Sequence, residues 1–302
     1  SIGSRSNCSR TSPDRRLRIV TLRDSKDLAL NDIYRLEALN IQQSSTNKIH
    51  DDNTASTLGF RGGLVPGIEI FSYMTHFSVK YWGLSWLEGG GSSITLRRPV
   101  YDGKIATLKS DWSGGDSFNV TLDSDDETCA TGTFERRSSM ETGDLGNLER
   151  PPVAKNPPPV EQALLKPGSV FSSHPILVTP KMAAAYLSNV KDGHDIYRTH
   201  SIVHPGIILR FGNLVLGDNI VMNAWIHTSS RLMNIGYAYV GDELQGFGKL
   251  LRKYENNGHR YADLDVYVFS NNKCVARIIH SVIYYPRQLK LHGLTKNNHN
   301  IL

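Results

Sequence analysis

The first long apolar stretch of the chain runs from Gly67 to about Trp82. Ile68, Ile70, Phe71, Met74, Phe77, Val79 and Tyr81 cover more than one helical stripe, which predicts a helix buried nearly all round. After it the period changes. The segments SSITLRRPV, KIATLKSDW, SFNVTLDS and TCATGTFE are rich in β-branched residues and are separated by Asp-Gly, Gly-Gly-Asp and Asp-Asp, so they predict strands joined by tight turns. The second half repeats this order. An apolar stretch after Pro205-Gly206 predicts a second long helix, and AWIHTSSRLMNI, ELQGFGKLLRKYE, HRYADLDVYVFS and CVARIIHSVIYY predict four more strands.

Three matches in one order tie the halves together. GGLVPGIEIFSYMTHFSVKYWG answers HSIVHPGIILRFGNLVLGDNIV, with Gly67 and Gly206 139 residues apart; Gly103 and Gly241 are 138 apart, and Cys129 and Cys274 are 145 apart. Nearly constant offsets indicate a duplicated domain. Between the halves Pro151, Pro152, Pro157, Pro158 and Pro159 fall within nine residues. Proline lacks an amide donor and disfavours helix in the residue before it, so this segment is expected to be an extended crossing rather than a packed element. The organisation expected is a poorly ordered N-terminal extension over 1–29, domains over 30–139 and 167–290, a Pro-rich linker over 140–166, and a tail over 291–302. The fold class is α+β. In each domain a central helix is held by a curved antiparallel sheet, and the two sheets continue edge to edge.

With 302 residues, 39% apolar and 21% charged, the chain can bury a real core. The net charge of +5 is scattered, apart from Arg15, Arg16 and Arg18, which argues against nucleic acid as a partner. No run reaches the roughly 18–20 uninterrupted apolar residues of a membrane helix, so no membrane partner is expected. Cys8, Cys129 and Cys274 form no C-x-x-C pair. They give neither a disulfide framework nor a zinc site, and the reading is a cytoplasmic protein in a reducing compartment. Cys129 and Cys274 are expected at equivalent, buried strand positions. No metal-ligand spacing or phosphate-loop context is present, so neither a metal nor a cofactor is expected.

The approach to the first helix, NKIHDDNTASTLGFRGGLVPG over 47–67, with PVYDG and YVGDEL marking strands, resembles the MaoC-like, (R)-specific enoyl-CoA hydratase branch of the hot-dog proteins. The pattern of that family is Asp-x-Asn-Pro-x-His, then an Ala and a Phe-rich turn, then His-Gly opening the helix. The likeness covers residues 30–135 and 165–286 and implies a double hot-dog fold. It puts Asn47 on the motif Asn, His50 on the motif His, Ala55 on the Ala and Phe60 on the Phe. Two positions depart: Ser45 stands where the family has its catalytic Asp, and Pro66 where it often has His.

Adding or removing water at an acyl thioester needs a base, an acid, and donors for an enolate-like oxygen. His50 can serve as acid or base, with an ordinary pKa of about 6.5. Ser45 is too weak a base to replace a carboxylate, so Asn47, Asp51 and His204 join His50 as catalytic candidates, with Asp52, Asp192, His194 and Asp195 behind them. The structural alternatives are that His50 is a loop histidine capping the following turn, that Asp51 and Asp52 cap a short helix near DNTAS, and that His204 is a packed, hydrogen-bonded histidine. For substrate binding, Gly62, Gly63, Val65 and Gly67 would bring helix-start amides close to a ligand. Arg61 would take a phosphate or pair with an acid. Tyr73, Arg210 and Asn213 fall on the two central helices, where Arg210 requires a partner.

The resemblance implies hydration or dehydration of an enoyl or 3-hydroxyacyl thioester, carried on CoA or an acyl carrier protein. The same cleft would suit a cyclase, isomerase or dehydratase acting on a polyketide-like secondary metabolite, and a third reading is a non-catalytic acyl-binding protein. The repeat supplies an internal pseudo-dimer, so a monomer or a homodimer is expected.

Overall fold

The computed structural model describes residues 32–287 apart from 44, 144, 146 and 147. The expected N-terminal extension over 1–29, with Cys8 and the Arg15, Arg16 and Arg18 cluster, and the tail over 291–302 lie outside the described residues. In the first half β1 (Asp32–Glu37) leads through a 3-10 turn (Lys48–His50) and α1 (Asp52–Thr57) into α2 (Gly67–Trp82) and α3 (Leu84–Gly89). Four strands follow: β2 (Gly91–Leu96), β3 (Ile105–Ser110), β4 (Ser117–Ser124) and β5 (Glu127–Glu135). The second half begins with β6 (Val170–Ser172), β7 (Ile176–Leu177), α4 (Pro180–Asn189), α5 (Ile196–Thr199), α6 (Pro205–Leu209) and α7 (Phe211–Gly217). It closes with β8 (Ile226–Asn234), β9 (Glu243–Asn256), β10 (His259–Ser270) and β11 (Lys273–Tyr285).

Helix α2 starts and stops where the apolar pattern does. Pro66 supplies an extended N-cap, and Gly83 ends the helix at φ 52°, a left-handed value that glycine tolerates, with its amide on the Val79 carbonyl at 2.9 Å. The second helix differs from the single long helix expected. It is divided at Arg210, where the Asn213 amide bonds to the Arg210 carbonyl at 2.9 Å, a tight i to i−3 contact that interrupts the regular ladder between α6 and α7.

All strands join one antiparallel sheet in the order β1-β3-β4-β5-β2-β8-β11-β10-β9-β6, with β7 against β9. This order reads the same from either end once the halves are superposed. The halves meet at β2 and β8, in register from Gly91↔Met233 to Thr95↔Ser229. Each half thereby covers an edge of the other that would otherwise expose unpaired backbone groups. Helix α2 packs on β3 and β5 and reaches β8 of the second half, while α7 packs on β9, β10 and β11. One continuous apolar cluster runs through both halves, from Leu36 to Tyr284.

The repeat is registered differently from the letter matches. The bridges Leu64↔Tyr101 and Ile202↔Tyr239 are 138 residues apart on both sides, and the helices begin at Gly67 and Pro205. His204 therefore corresponds to Pro66, and Gly67 does not correspond to Gly206. The cysteines are also one residue out of step. The two-residue turns Asp125-Asp126 and Asn271-Asn272 all have positive φ and fix the hairpins β4-β5 and β10-β11. Cys129 then matches Val275, and Cys274 matches Thr128. Both cysteines are buried.

The proline-rich crossing is not free of packing. The Val160 amide bonds to the Val221 carbonyl at 3.0 Å, and Leu165 is buried. Among the described residues no helix is long and apolar enough to cross a membrane.

Candidate active site

The loop before α2 is built around the backbone of His50. Asn47 caps the 3-10 turn by accepting from the Ile49 amide at 3.3 Å. The same side chain reaches the second half, accepting from the Trp225 amide at 3.1 Å and donating to the Trp225 carbonyl at 3.0 Å. Asn40 donates to the His50 carbonyl at 2.9 Å, and Asp52 accepts from the Gly63 amide at 2.7 Å. Gly63 is required by close approach, because a Cβ there would stand 2.2 Å from the His50 carbonyl oxygen.

This scaffold fixes the imidazole. His50 Nδ1 lies 2.7 Å from the Leu64 carbonyl, which can only accept, so Nδ1 carries the proton and Nε2 keeps its lone pair. Asn47 Nδ2 stands 3.3 Å from that lone pair. His50 is 8% exposed. Burial holds its pKa below the ordinary imidazole value, with the Leu64 carbonyl opposing, so near neutrality Nε2 is a proton acceptor.

His50 and Asn47 line a cavity of about 310 Å³, a volume typical of the small end of ligand sites. Ile49, Phe60, Leu64, Ile70, Leu96 and Trp225 give it apolar walls. The start of α2 enters at Gly67, and by helix geometry the first amides of α2 have no intrahelical acceptor. Asn213 of α7 and His227 of β8 enter from the second half, so the cavity is lined by both halves of the chain. Arg97 and Arg98 are exposed on its solvent side. Among the described residues, no Asp or Glu lines it.

Of the residues singled out from sequence, Asn47, His50, Phe60, Val65, Pro66, Gly67 and Asn213 line this cavity. The others are placed elsewhere. Asp51 is an N-cap for α1, accepting from the Thr54 amide at 2.9 Å and its hydroxyl at 3.1 Å, and the Ser45 hydroxyl bonds to the Asn47 carbonyl. His204 accepts from the Gly206 amide through Nδ1 at 3.0 Å and donates through Nε2 to Asp192 at 3.2 Å, inside the protein. Desolvation opposes ionisation of Asp192, yet the hydrogen bonds from His204 and from the His194 amide hold its pKa below the usual carboxylate value. Arg61 is 65% exposed and pairs with Asp125 at 2.8 Å. Gly62 and Gly63 support the His50 loop from behind rather than lining the cavity.

Tyr73 is buried in the core, where its hydroxyl accepts from the Leu39 amide at 3.1 Å and burial pushes its pKa up to about 12. Arg210 finds the partner it requires in Glu69 of α2, at 3.1 Å. Glu69 is 1% exposed, and desolvation raises its pKa against the pull of Arg210. At the start of α6 the halves pack closely, and a Cβ at Gly206 would stand 2.0 Å from Ser72 Oγ and 2.2 Å from the Tyr186 hydroxyl.

Sequence reasoning missed His227, Ser230 and His280. They form a buried chain that ends on Asn213: His227 Nε2 to Ser230 Oγ at 2.7 Å, Ser230 Oγ to His280 Nδ1 at 2.6 Å, and His280 Nε2 to Asn213 Oδ1 at 2.7 Å. Burial pushes His227 down to about 3 and His280 well below the ordinary value, with the neighbouring His227 adding to the effect at His280.

A MaoC domain protein dehydratase from Chloroflexus aurantiacus J-10-fl superposes with TM-score 0.57 at 10% identity, covering 86% of this chain and 96% of that one. A double-hotdog protein of Mycobacterium tuberculosis, essential for bacterial survival during infection, gives 0.56 at 13% identity over 84% and 96%. The dehydratase domain of RzxB from Pseudomonas fluorescens gives 0.52 at 12% identity over 86% and 96%. The chain therefore has the double hot-dog fold, shared with MaoC-like dehydratases. No protein-family model matches it, and no curated protein is similar to it in sequence.

Proposed function

We propose that this chain is a hydro-lyase that hydrates an enoyl thioester or dehydrates a 3-hydroxyacyl thioester, with His50 Nε2 as the proton-transferring atom. The observation that carries this reading is the fixed tautomer of His50. Its Nδ1–H is committed to Leu64, its Nε2 is met only by the Asn47 amide at 3.3 Å, and the residue lines an apolar cavity beside the start of α2. In dehydration Nε2 takes the proton from the α-carbon, the electron pair moves onto the thioester oxygen, and the first amides of α2 hold that oxygen. The same imidazolium then returns the proton to the β-hydroxyl as it leaves as water. One group suffices for both transfers, which accommodates Ser45 at the position of the family carboxylate. The fold shared with MaoC-like dehydratases supports the class of reaction, and CoA or an acyl carrier protein is the carrier that suits it.

The test is hydration of crotonyl-CoA and a longer enoyl-CoA, followed by loss of thioester-conjugated absorbance. Activity that falls at least a hundredfold in His50→Ala supports the reading. Activity unchanged in that variant overturns it. A cyclase or isomerase acting on a polyketide-like metabolite is the second reading. It is favoured by the lack of any Asp or Glu lining the cavity among the described residues, since moving a proton between two carbons needs one acceptor and no activated water.

A further inference from the structure

The buried chain of His227, Ser230, His280 and Asn213 has a direction, and the packing of His227 on α2 sets it. A Cβ on Gly67 would stand 2.6 Å from His227 Nδ1. The Cα hydrogen of Gly67 that points the same way leaves no room for a proton on that nitrogen, which is enclosed and has no hydrogen-bond partner. Burial keeps both imidazoles neutral, so each carries one proton. His227 carries it on Nε2 and donates to Ser230 Oγ at 2.7 Å. The Ser230 hydroxyl then donates to His280 Nδ1 at 2.6 Å, and His280 Nε2–H donates to Asn213 Oδ1 at 2.7 Å. The Asn213 amide is thereby held one way round, with its oxygen toward His280 and Nδ2 left free of the chain.

Two features of the fold bring this amide to the cavity. The irregularity in the β8-β11 register between Ser281 and Val282 passes over Thr228, so His227 and Ser230 are both turned inward, with Ser230 directly opposite His280. Gly212 lets α7 lie on the His280 ring, since a Cβ there would stand 2.7 Å from its Cγ. The next residue, Asn213, is half-buried and lines the same cavity as His50 and Gly67. Among the described residues, the enclosed side-chain nitrogens that lack a partner are His76 Nδ1 and His227 Nδ1. Asn213 Nδ2 has no hydrogen-bond partner in the protein either, but it is not enclosed, and the open space that its residue borders is the cavity. Two sets of donors without acceptors, the first amides of α2 and Asn213 Nδ2, therefore meet a space with largely apolar walls.

We propose that Asn213 Nδ2 donates a hydrogen bond to the carbonyl oxygen of the substrate and, with the first amides of α2, holds the charge that develops on that oxygen as His50 takes the α-proton. His227, Ser230 and His280 are positioning residues that keep Nδ2, rather than Oδ1, turned to the ligand. A carbonyl oxygen has two lone pairs and can accept from a helix-start amide and from Asn213 at once. A donor fixed in place before the reaction needs no reorganisation when the charge appears. This deepens the thioester reading and rests on it for the carbonyl being that of a thioester; the orientation of the Asn213 amide does not depend on the carrier.

The experiment compares crotonyl-CoA hydration by the original chain, Asn213→Asp and Ser230→Ala, and follows the Asn213 side-chain amide and the histidine nitrogens of the full chain by NMR. Aspartate keeps an acceptor for His280 Nε2–H and removes the donor to substrate, so kcat is expected to fall about a hundredfold with KM changed by no more than about threefold. Were Asn213 only a support for His280, this variant would keep the original activity, and that result overturns the proposal. In Ser230→Ala mixed tautomers are expected to replace a His280 protonated on Nε2 and bare on Nδ1, and kcat to fall by less than in Asn213→Asp. The original chain gives a readout that needs no variant: its Asn213 Nδ2 protons are expected to shift when crotonyl-CoA or 2-hexanone is added. Protons that stay in place with both ligands, or a His280 protonated on Nδ1, overturn the proposal. A shift with 2-hexanone in a chain that neither binds nor hydrates crotonyl-CoA retains the Asn213 donor and overturns the thioester reading instead.

Discussion

Asn47 and Trp225, 178 residues apart, are joined by two hydrogen bonds in opposite senses, amide to Oδ1 at 3.1 Å and Nδ2 to carbonyl at 3.0 Å. One side chain thus closes the His50 loop of the first half onto the entry to β8 of the second, and its Nδ2 also approaches His50 Nε2. Asn47→Ala leaves the Trp225 amide and carbonyl without these partners, a loss of about 1–3 kcal/mol. Asn47→Asp accepts from the amide but cannot donate to the carbonyl or to His50, so it is expected to recover part of the stability and little activity. Urea unfolding of both variants beside the hydration assay checks this.

The acid side of the activity profile follows from His50. Its folded pKa is depressed, so the acceptor form is full near neutrality and is lost only as pH falls through a value below about 6.5. The kcat/KM profile of crotonyl-CoA hydration is expected to be flat from pH 7 to 8 and to have an acid limb centred below about 6.5. A limb centred above pH 7 would contradict the burial of this imidazole.

Gly63→Ala tests the scaffold rather than the chemistry. The added Cβ meets the His50 carbonyl at 2.2 Å, and backbone must move to admit it. A cost of about 1–3 kcal/mol is expected, as for other overpacked sites, with kcat reduced more than KM is raised. An alanine variant with the activity of the original chain would show that the His50 loop is not held as tightly as this contact requires.

Glu69 and Arg210 tie the two central helices together at 3.1 Å, with side-chain exposures of 2% and 24%. Arg210→Met strands a buried carboxylate and is expected to destabilise the chain by about 3 kcal/mol or more, whereas Glu69→Gln with Arg210→Met recovers most of the loss. Thermal or urea unfolding of the single and double variants gives the coupling. Independent, additive effects would mean that the pair contributes nothing as a pair.

Neutral buried histidines make stability depend on pH. The folded pKa of His227 is about 3 and that of His280 lies well below its ordinary value, while both regain about 6.5 when unfolded. Between those limits the unfolded chain binds more protons, so the stabilising effect is complete above about pH 6.5 and is lost as pH falls. The two groups together give a slope of about 3 kcal/mol per pH unit below pH 6. Urea midpoints at pH 7 and pH 5 measure it, and His280→Gln is expected to reduce the slope by about half.

Much of this was legible in the chain. The density of apolar residues after Gly67 marks α2 to its last residue, Trp82, because burial on all sides leaves no polar stripe to blur the pattern. SFNVTLDS and HRYADLDVYVFS coincide with β4 and β10 because β-branched and aromatic residues run up to turns that demand positive φ. The short β1, β6 and β7 have no such signal, since two to six residues of edge strand carry little periodicity. The motif around Asn47 and His50 marked the loop that forms one wall of the cavity. It did not distinguish Asp51, which faces Thr54 of α1, or His204, which faces Asp192, from residues that line the site.

Sequence by itself determined the duplicated α+β halves, the buried helix α2 and the loop that presents His50, because each depends on local period, turn chemistry and neighbours along the chain. Tertiary structure alone decided that Trp225 would clamp Asn47, that Glu69 would meet Arg210, and that His227 would join Ser230 and His280 beside Gly67. Those meetings depend on how two sheets register at β2 and β8 and on one irregularity in β8-β11. A shift of one residue in a strand turns every side chain to the other face, and the alternation of the sequence does not reveal where such a shift occurs.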